Sequence, residues 1–334
     1  MESWVSMPKV ELHAHLNGSI RDSTLLELAR GLGEKGAIVF SEVEQVILKN
    51  QSTVTRITKE VVEDFASENV VYLELRTTPK NNDSIGMTKR SYMEAVIKGL
   101  RAVTTVDVDF GCHEMESDAS DVCIGSPGKK IYIRLLLSID RRESTASAME
   151  TVKLAMEMKE LGVVGIDLSG HPLVGEWITF LPALQFAREQ GLSITVHCGE
   201  VPNPEEVQAM LDFHPGRIGH ACFLDEEHWN TVKASKIPVE ICLSSNIMTE
   251  RIPSLDVHHF ADLYNEKHPV VLCTDDPGVF STSLSKEYSL AASTFGIGKK
   301  EMLLLAKDAV ESIFSGEEVK RELRQIFDSA LKEL

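Results

Sequence analysis

Short apolar runs recur along the whole chain, separated by stretches whose apolar positions repeat at helical spacing. The runs are Val10–His15, Val70–Arg76, Ile131–Leu137, Val163–Leu168, Ser193–His197, Arg217–His220, Val239–Leu243 and Val270–Thr274. Each is four to seven residues long, and most are rich in β-branched residues. Several are nearly continuous rather than alternating, as strands buried on both faces of a parallel sheet should be. The stretches between them include Asp22–Arg30, Val54–Phe65, Lys89–Val103, Thr145–Leu161, Phe180–Gln190, Pro204–Asp212, Glu226–Ala234 and His258–Lys267. Eight strands alternating with helices predict an α/β fold, a single (β/α)8 TIM barrel, with one domain over residues 1–334. An open sheet built to bind a dinucleotide would carry a glycine-rich turn, and the sequence has none.

The segment Phe110–Lys130 is polar and punctuated by Gly and Pro, which predicts a long surface loop. The tail Lys299–Leu334 reads as helical and closes the domain. Hydrophobic residues make up 43% of the 334 and charged residues 25%, the balance of a soluble protein with a sizeable core. Acidic residues outnumber basic ones 51 to 34, for a net charge of −17. A nucleic-acid partner is therefore not expected, because nothing would release counterions from its phosphates. No apolar run approaches the ~20 residues of a membrane span. The opening MESWVSMPKV has no basic region followed by an apolar stretch, so neither anchor nor leader is expected. The cysteines are Cys112, Cys123, Cys198, Cys222, Cys242 and Cys273, with no CxxC pair. Most sit in or beside apolar runs, which predicts reduced, buried thiols and a cytosolic compartment.

In such a barrel the C-terminal strand ends face the active site, so the candidate residues follow from the runs themselves. These ends carry His13 and His15 with Asn17 just beyond, Thr77-Thr78-Pro79-Lys80, Ser169-Gly170-His171, His197 with Glu200 three residues on, His220, and Asp275-Asp276. His13 and His15, two apart on an extended segment, leave the same face and can grip one ion. With a nitrogen from His197 and an oxygen from Asp275 they suit zinc, water completing the set. Glu200, close to the ion but not needed to bind it, has the position of an acid/base; the alternative is a helix-start charge, since Pro202-Asn203-Pro204 follows. His220 reads either as part of the site or as a buried, satisfied histidine, and Asp276 either as a site residue or as a strand-end cap. The remaining histidines, His113, His171, His214, His228, His258, His259 and His268, are expected on loops or helix surfaces.

The same residues carry a family resemblance. Met7–Ser19 (MPKVELHAHLNGS) resembles the opening motif of the adenosine/AMP deaminase family. His197-Cys198-Gly199-Glu200, Gly219-His220, Ser244-Ser245-Asn246 and Thr274-Asp275-Asp276-Pro277-Gly278 resemble its other motifs in order. Asn17 stands where true adenosine deaminases usually have Asp, and Glu74–Lys80 resembles the N6-methyl-AMP deaminase branch, particularly its plant members. The resemblance implies a barrel of the metal-dependent hydrolase type that hydrolyses N6-methyl-AMP to IMP and methylamine. It implies one Zn2+ per chain on His13, His15, His197 and Asp275. Glu200 would protonate purine N1, His220 would orient or deprotonate the attacking water, and Asp276 would position that water. Gly170 would offer its N–H to the purine, and Asn17 would contact the ribose side. Thr77, Thr78, Pro79, Lys80 and Asp140 would line the ribose-phosphate end, with His15 and Asp276 also touching substrate. A small-molecule purine nucleotide is then the expected partner, with no nucleic acid, no membrane and a monomeric chain.

One departure from the family pattern falls after the expected helix Ser41–Leu48. The chain runs through Lys49-Asn50-Gln51-Ser52 straight into Thr53–Phe65, where family members carry a further helical segment that helps close over substrate. Three functional readings therefore remain open at this level. One is a purine aminohydrolase acting on a nucleotide or on adenosine. Another is a different zinc amidohydrolase acting on an amide or ester, although no strand end supplies the Lys that bridges many two-metal relatives. The last is a nucleotide-binding barrel that, lacking its lid, turns over little.

Overall fold

Eight parallel strands, one from each expected run, close into a barrel. In the computed structural model, which describes residues 2–33, 50–83, 86–111 and 129–334, the strands are β1 (Lys9–His15), β2 (Val70–Thr77), β3 (Asp107–Asp109), β4 (Lys130–Asp140), β5 (Val163–Ser169), β6 (Ser193–Cys198), β7 (Arg217–His220), β8 (Val239–Ile241) and β9 (Val270–Leu272). They pair in the order β1-β2-β4-β5-β6-β7-β8-β9. The ring closes between β1 and the end of β9: Asp275 N–H donates to His13 O at 2.7 Å and His15 N–H to Asp275 O at 2.9 Å. Glu11 reinforces the seam, accepting from His13 N on one oxygen and from Thr274 N and Oγ1 on the other. The ninth strand, β3, was not expected. It is three residues (Asp-Val-Asp), two of them charged, paired to the start of β4, and no apolar run marks it. The expected helix Ser41–Leu48, Cys112, His113, Cys123 and most of the expected loop Phe110–Lys130 lie outside the described residues.

Helices follow the strands as the periodicity predicts, among them α1 (Asp22–Gly33), α2 (Gln51–Ser67), α3 (Lys89–Arg101), α4 (Thr145–Glu157), α5 (Trp177–Glu189), α6 (Pro204–Asp212) and α7 (Glu226–Ser235). Their starts are chemically marked. Asn50, Thr88, Ser144, Asn203 and Asp225 each cap with a side-chain oxygen that accepts a main-chain N–H, and Pro204 occupies the first turn of α6. A short helix, α8 (Leu243–Met248), leaves β8 directly, and α9 (Phe260–Asn265) precedes β9. No described helix is long and apolar enough to cross a membrane. Cys198, Cys242 and Cys273 are free and buried, and Cys222 is free and half-buried.

Aliphatic residues fill the space between strands and helices, but the barrel interior is charged. Glu74 and Arg76 of β2, Asp167 of β5, Arg217 of β7 and Glu240 of β8 are all fully buried. Arg76 donates to Asp167 Oδ1 at 3.0 Å and to Glu240 Oε2 at 2.9 Å. Arg217 donates from Nε to Glu240 Oε1 at 2.6 Å and from the fork to Glu74. Its guanidinium also lies 3.5 Å from the ring centre of Phe314, which fastens the C-terminal segment beneath the barrel. Removing one partner from such a lattice leaves a buried charge uncompensated, at a cost of about 3–5 kcal/mol. Urea denaturation of Arg217→Met should therefore show a loss of that order. Arg321→Met, which breaks an exposed pair with Glu318, should cost under about 0.5 kcal/mol. Equal losses in the two variants would mean that the interior pairs contribute no more than surface ones.

Candidate active site

At the C-terminal rim the strand ends bring His13, His15, His197, His220 and Asp275 together. One potential ligand atom from each of His13, His197, His220 and Asp275 lies within 4.8 Å of the others. His15 joins them, its Nε2 3.2 Å from His197 Nε2 and 3.4 Å from Asp275 Oδ1. His13 Nε2 is also 3.4 Å from Asp275 Oδ1. Gly219 makes room for this cluster, since a Cβ there would sit 2.8 Å from the His13 ring. His220, Ala221 and Asp275 all have φ between 53° and 66°. That left-handed backbone is costly for residues with a Cβ, and such strain gathers at functional sites.

The charged interior decides which face of each imidazole looks inward. His13 Nδ1 lies 2.6 Å from Glu240 Oε2, and His197 Nδ1 lies 3.1 Å from Asp167 Oδ1 and 3.0 Å from Leu168 O. Carboxylate and carbonyl oxygens only accept, so both rings carry a proton on Nδ1 and turn Nε2 inward. His13 Nε2 is buried and has no hydrogen-bond partner in the protein. Burial alone would lower His197, but the charge and hydrogen bond of Asp167 outweigh it and raise the imidazole to about 9, so its Nε2 also holds a proton until a cation displaces it. His15 goes the other way: burial, opposed by Asp275, takes it down to about 3. Ser245 at the start of α8 donates to Asp275 Oδ2 at 2.6 Å, fixing that carboxylate. Imidazole nitrogens and a carboxylate oxygen, each oriented by an outer partner, fit a divalent cation.

Glu200 is buried after β6, 2.8 Å from Arg251 and 3.8 Å from His220 Nε2. Asn203 caps α6, whose first turn carries Glu205 and Glu206, and Glu200 lies before the cap. Asp276 packs against Gly18, next to Asn17. Thr77 is buried with its Oγ1 2.8 Å from Tyr92 OH, which in turn reaches Asn17 Oδ1 at 3.3 Å. Pro79 is buried, and Thr78 and Lys80 are half-buried. Gly170 adopts φ +107°, and a Cβ there would sit 2.7 Å from Asp140 Oδ1. Burial works to raise Asp140, but hydrogen bonds from Arg142, with the charges of Arg142 and Lys80, hold it below its ordinary range. Two cations thus flank Asp140 at this part of the rim.

Several site neighbours were not anticipated. Asp167, Glu240, Arg76 and Arg217 stood in view as charges inside apolar runs, which is the one sequence signal that a buried charge needs a partner. Arg142 and Arg251 gave no comparable signal, and Ser245 and Asn246 stood only within the motif Ser244-Ser245-Asn246, with no role assigned to either. His228, His258 and His268, expected on loops or surfaces, are buried, because each sits on the inward face of its segment. His258 reaches His220 through Asn246, and His259 contacts the His220 carbonyl oxygen directly.

A closed parallel barrel with histidines and an aspartate converging on one rim is the architecture of a metal-dependent hydrolase. The chain belongs to the adenosine deaminase family, whose model matches residues 37–330. The first strand, with His13 and His15, precedes that match, but relatives align across it. The N6-mAMP deaminase of Arabidopsis thaliana is 64% identical over 99% of both chains. That alignment runs over 351 positions against 334 residues here, so at least 17 of the relative's positions (351 − 334) have no counterpart in this chain. The human N6-Methyl-AMP deaminase is 36% identical, covering 96% of this chain and 92% of its own. The crystal structure of Arabidopsis ADAL complexed with IMP superposes with a TM-score of 0.93 at 62% identity, covering 100% of this chain and 99% of that one.

Proposed function

We propose that the protein is a zinc-dependent purine nucleotide aminohydrolase that converts N6-methyl-AMP, and related N6-substituted AMP, to IMP and the free amine. The observation that carries this reading is the buried Nε2 of His13, without a hydrogen-bond partner, in a donor set with His15, His197 and Asp275, at the rim where Glu200 lies 3.8 Å from His220 Nε2. His13, His15, His197 and Asp275 would hold one Zn2+. When bound, the ion supplies a nucleophile by lowering the pKa of a coordinated water to about 7. Glu200 protonates purine N1, so that the ring accepts the electron pair when oxygen adds at C6. His220 and Asp276 orient the water. Gly170 N–H and Asn17 fix the purine and the ribose side, and the C6–N6 bond then breaks as the C6 hydroxyl proton passes to N6, leaving the C6 carbonyl and methylamine. His15, Thr77, Thr78, Pro79 and Asp140 line the substrate.

A protein of charge −17 repels a phosphate dianion, so a nucleotide substrate needs local cations. Lys80, with Arg142 beside it across Asp140, supplies them, and this favours a nucleotide over adenosine as substrate. Free, buried thiols suit a reducing compartment such as the cytosol. The chain is read as one catalytic unit over residues 1–334, acting as a monomer without nucleic-acid or membrane partners.

Incubation with N6-methyl-AMP, AMP and adenosine side by side tests the reading. IMP should form fastest from N6-methyl-AMP, and equal or faster conversion of adenosine to inosine would defeat it. Turnover of none of the three by the zinc-loaded protein would favour the binding-only alternative.

Glu200→Gln keeps the shape and loses the titratable proton. Zinc content should stay at about one per chain while kcat falls by about 10²-fold or more. A near-normal rate would remove Glu200 from the chemistry. Lys80→Ala should lose about 1.5–3 kcal/mol in kcat/KM on the monophosphate, the worth of a charged hydrogen bond, and almost nothing on the nucleoside. Equal losses on both substrates would remove Lys80 from phosphate recognition.

A further inference from the structure

Acceptor oxygens orient His13 and His197, but His220 is held differently. Its Nδ1 lies 3.1 Å from the side-chain amide of Asn246, a group that can either donate or accept. Which it does is settled two residues further along the chain of contacts. The main-chain N–H of Phe260 donates to His258 Nδ1 at 3.1 Å. A main-chain N–H has no lone pair to offer, so His258 Nδ1 must be unprotonated and its proton must sit on Nε2. That Nε2 lies 3.1 Å from Asn246 Oδ1 and therefore donates to it. With its oxygen committed to His258, Asn246 presents its N–H to His220 Nδ1, which must accept. A doubly protonated His220 would set N–H against N–H at this contact. His220 therefore carries its one proton on Nε2, the nitrogen 3.8 Å from Glu200 Oε1 and 3.9 Å from Asp275 Oδ2. All three links are buried, so no solvent competes for them. The neighbouring His259 holds the backbone at the same point, its Nε2 2.8 Å from His220 O, where φ is 66°.

We propose that Asn246 and His258 are positioning residues that fix His220 as the Nε2–H tautomer, so that His220 donates a hydrogen bond to the attacking water and neither deprotonates it nor ligates the metal. The proposal rests on the reading of this rim as a hydrolytic site. It separates His220 from His13 and His197, whose Nδ1 atoms donate to carboxylates and whose Nε2 atoms are left to the cation. The proton that water gives up then goes to the Glu200 carboxylate, which passes it to purine N1 as the new C–O bond forms at C6 and the ring π pair moves to N1. One proton leaves oxygen and one arrives at N1, so the addition step balances without His220 as base.

The direct test is 15N NMR of metal-free protein labelled at histidine, with the His220 signals assigned by their loss in His220→Gln. Wild-type protein should show a proton on Nε2 and none on Nδ1 of His220. Asn246→Asp places an acceptor-only carboxylate against Nδ1 and should move the proton there. His258→Leu should mix the two tautomers, whereas His258→Gln, which keeps a donor for Asn246, should restore the wild-type pattern. A wild-type proton on Nδ1 would overturn the proposal whatever the variants do, and so would an unchanged tautomer in folded Asn246→Asp. With zinc bound, Asn246→Asp should lower kcat about 10²-fold with little change in KM. An unchanged kcat in a variant whose tautomer had moved would overturn the role assigned to His220. The NMR result does not depend on the substrate, so a protein with the expected tautomer that left N6-methyl-AMP intact would count against the proposed function alone.

Discussion

Two buried arginines, Arg76 and Arg217, hold three carboxylates inside the barrel, and the rim above depends on that lattice. Isolated carboxylates could not remain ionised in this interior, because desolvation would push them to neutrality. Paired with the guanidinium groups, Glu240 and Asp167 stay as acceptors, and each spends an oxygen on a histidine: Glu240 on His13 and Asp167 on His197. The arginines thus act on the candidate metal site through one intermediary. They keep the carboxylates charged, the charge fixes a proton on each Nδ1, and the Nε2 atoms are left facing a common point. A barrel packed only with Val, Ile and Leu would satisfy the fold and leave those rings free to flip.

Closure of the barrel and assembly of the site are one event. The seam between β1 and β9 is made by the main chains of His13, His15 and Asp275, the residues whose side chains converge above it. Asp275 makes those bonds from a left-handed backbone, so its strain is offset by ring closure and by Ser245. His220 shows a second use of the same device: its strained backbone is held by His259 and its ring by Asn246, with opposite hydrogen-bond polarity to its neighbours. Four imidazoles within one cluster are therefore not equivalent. The groups behind each ring, rather than the rings themselves, set them apart.

Much of this was legible in the sequence, for physical reasons. Strands buried on both faces need continuous apolar runs, which is why Ile131–Leu137 and Val270–Thr274 stand out. Parallel barrels place chemistry at strand C-termini, which singles out His13, His15, His197, His220 and Asp275. The polar strand β3 escaped because three residues on an outer edge need no apolar face. The interior lattice escaped for a different reason. Glu240 and Arg76 are 164 positions apart, and which charges meet is set by strand register around a closed ring. His258 looked like a surface residue of an amphipathic stretch, and only the packing of the segment before β9 turns it inward against Asn246.

Zinc-edge anomalous diffraction from crystals of the zinc-loaded protein tests the central claim most directly, since it reads both the ion and the nitrogen that binds it. One peak per chain should appear, about 2.0–2.2 Å from Nε2 of His13, His15 and His197 and from an oxygen of Asp275, with His220 Nε2 outside bonding distance. An ion reached through Nδ1 of His13 or His197 would contradict the dependence of the site on the charged interior.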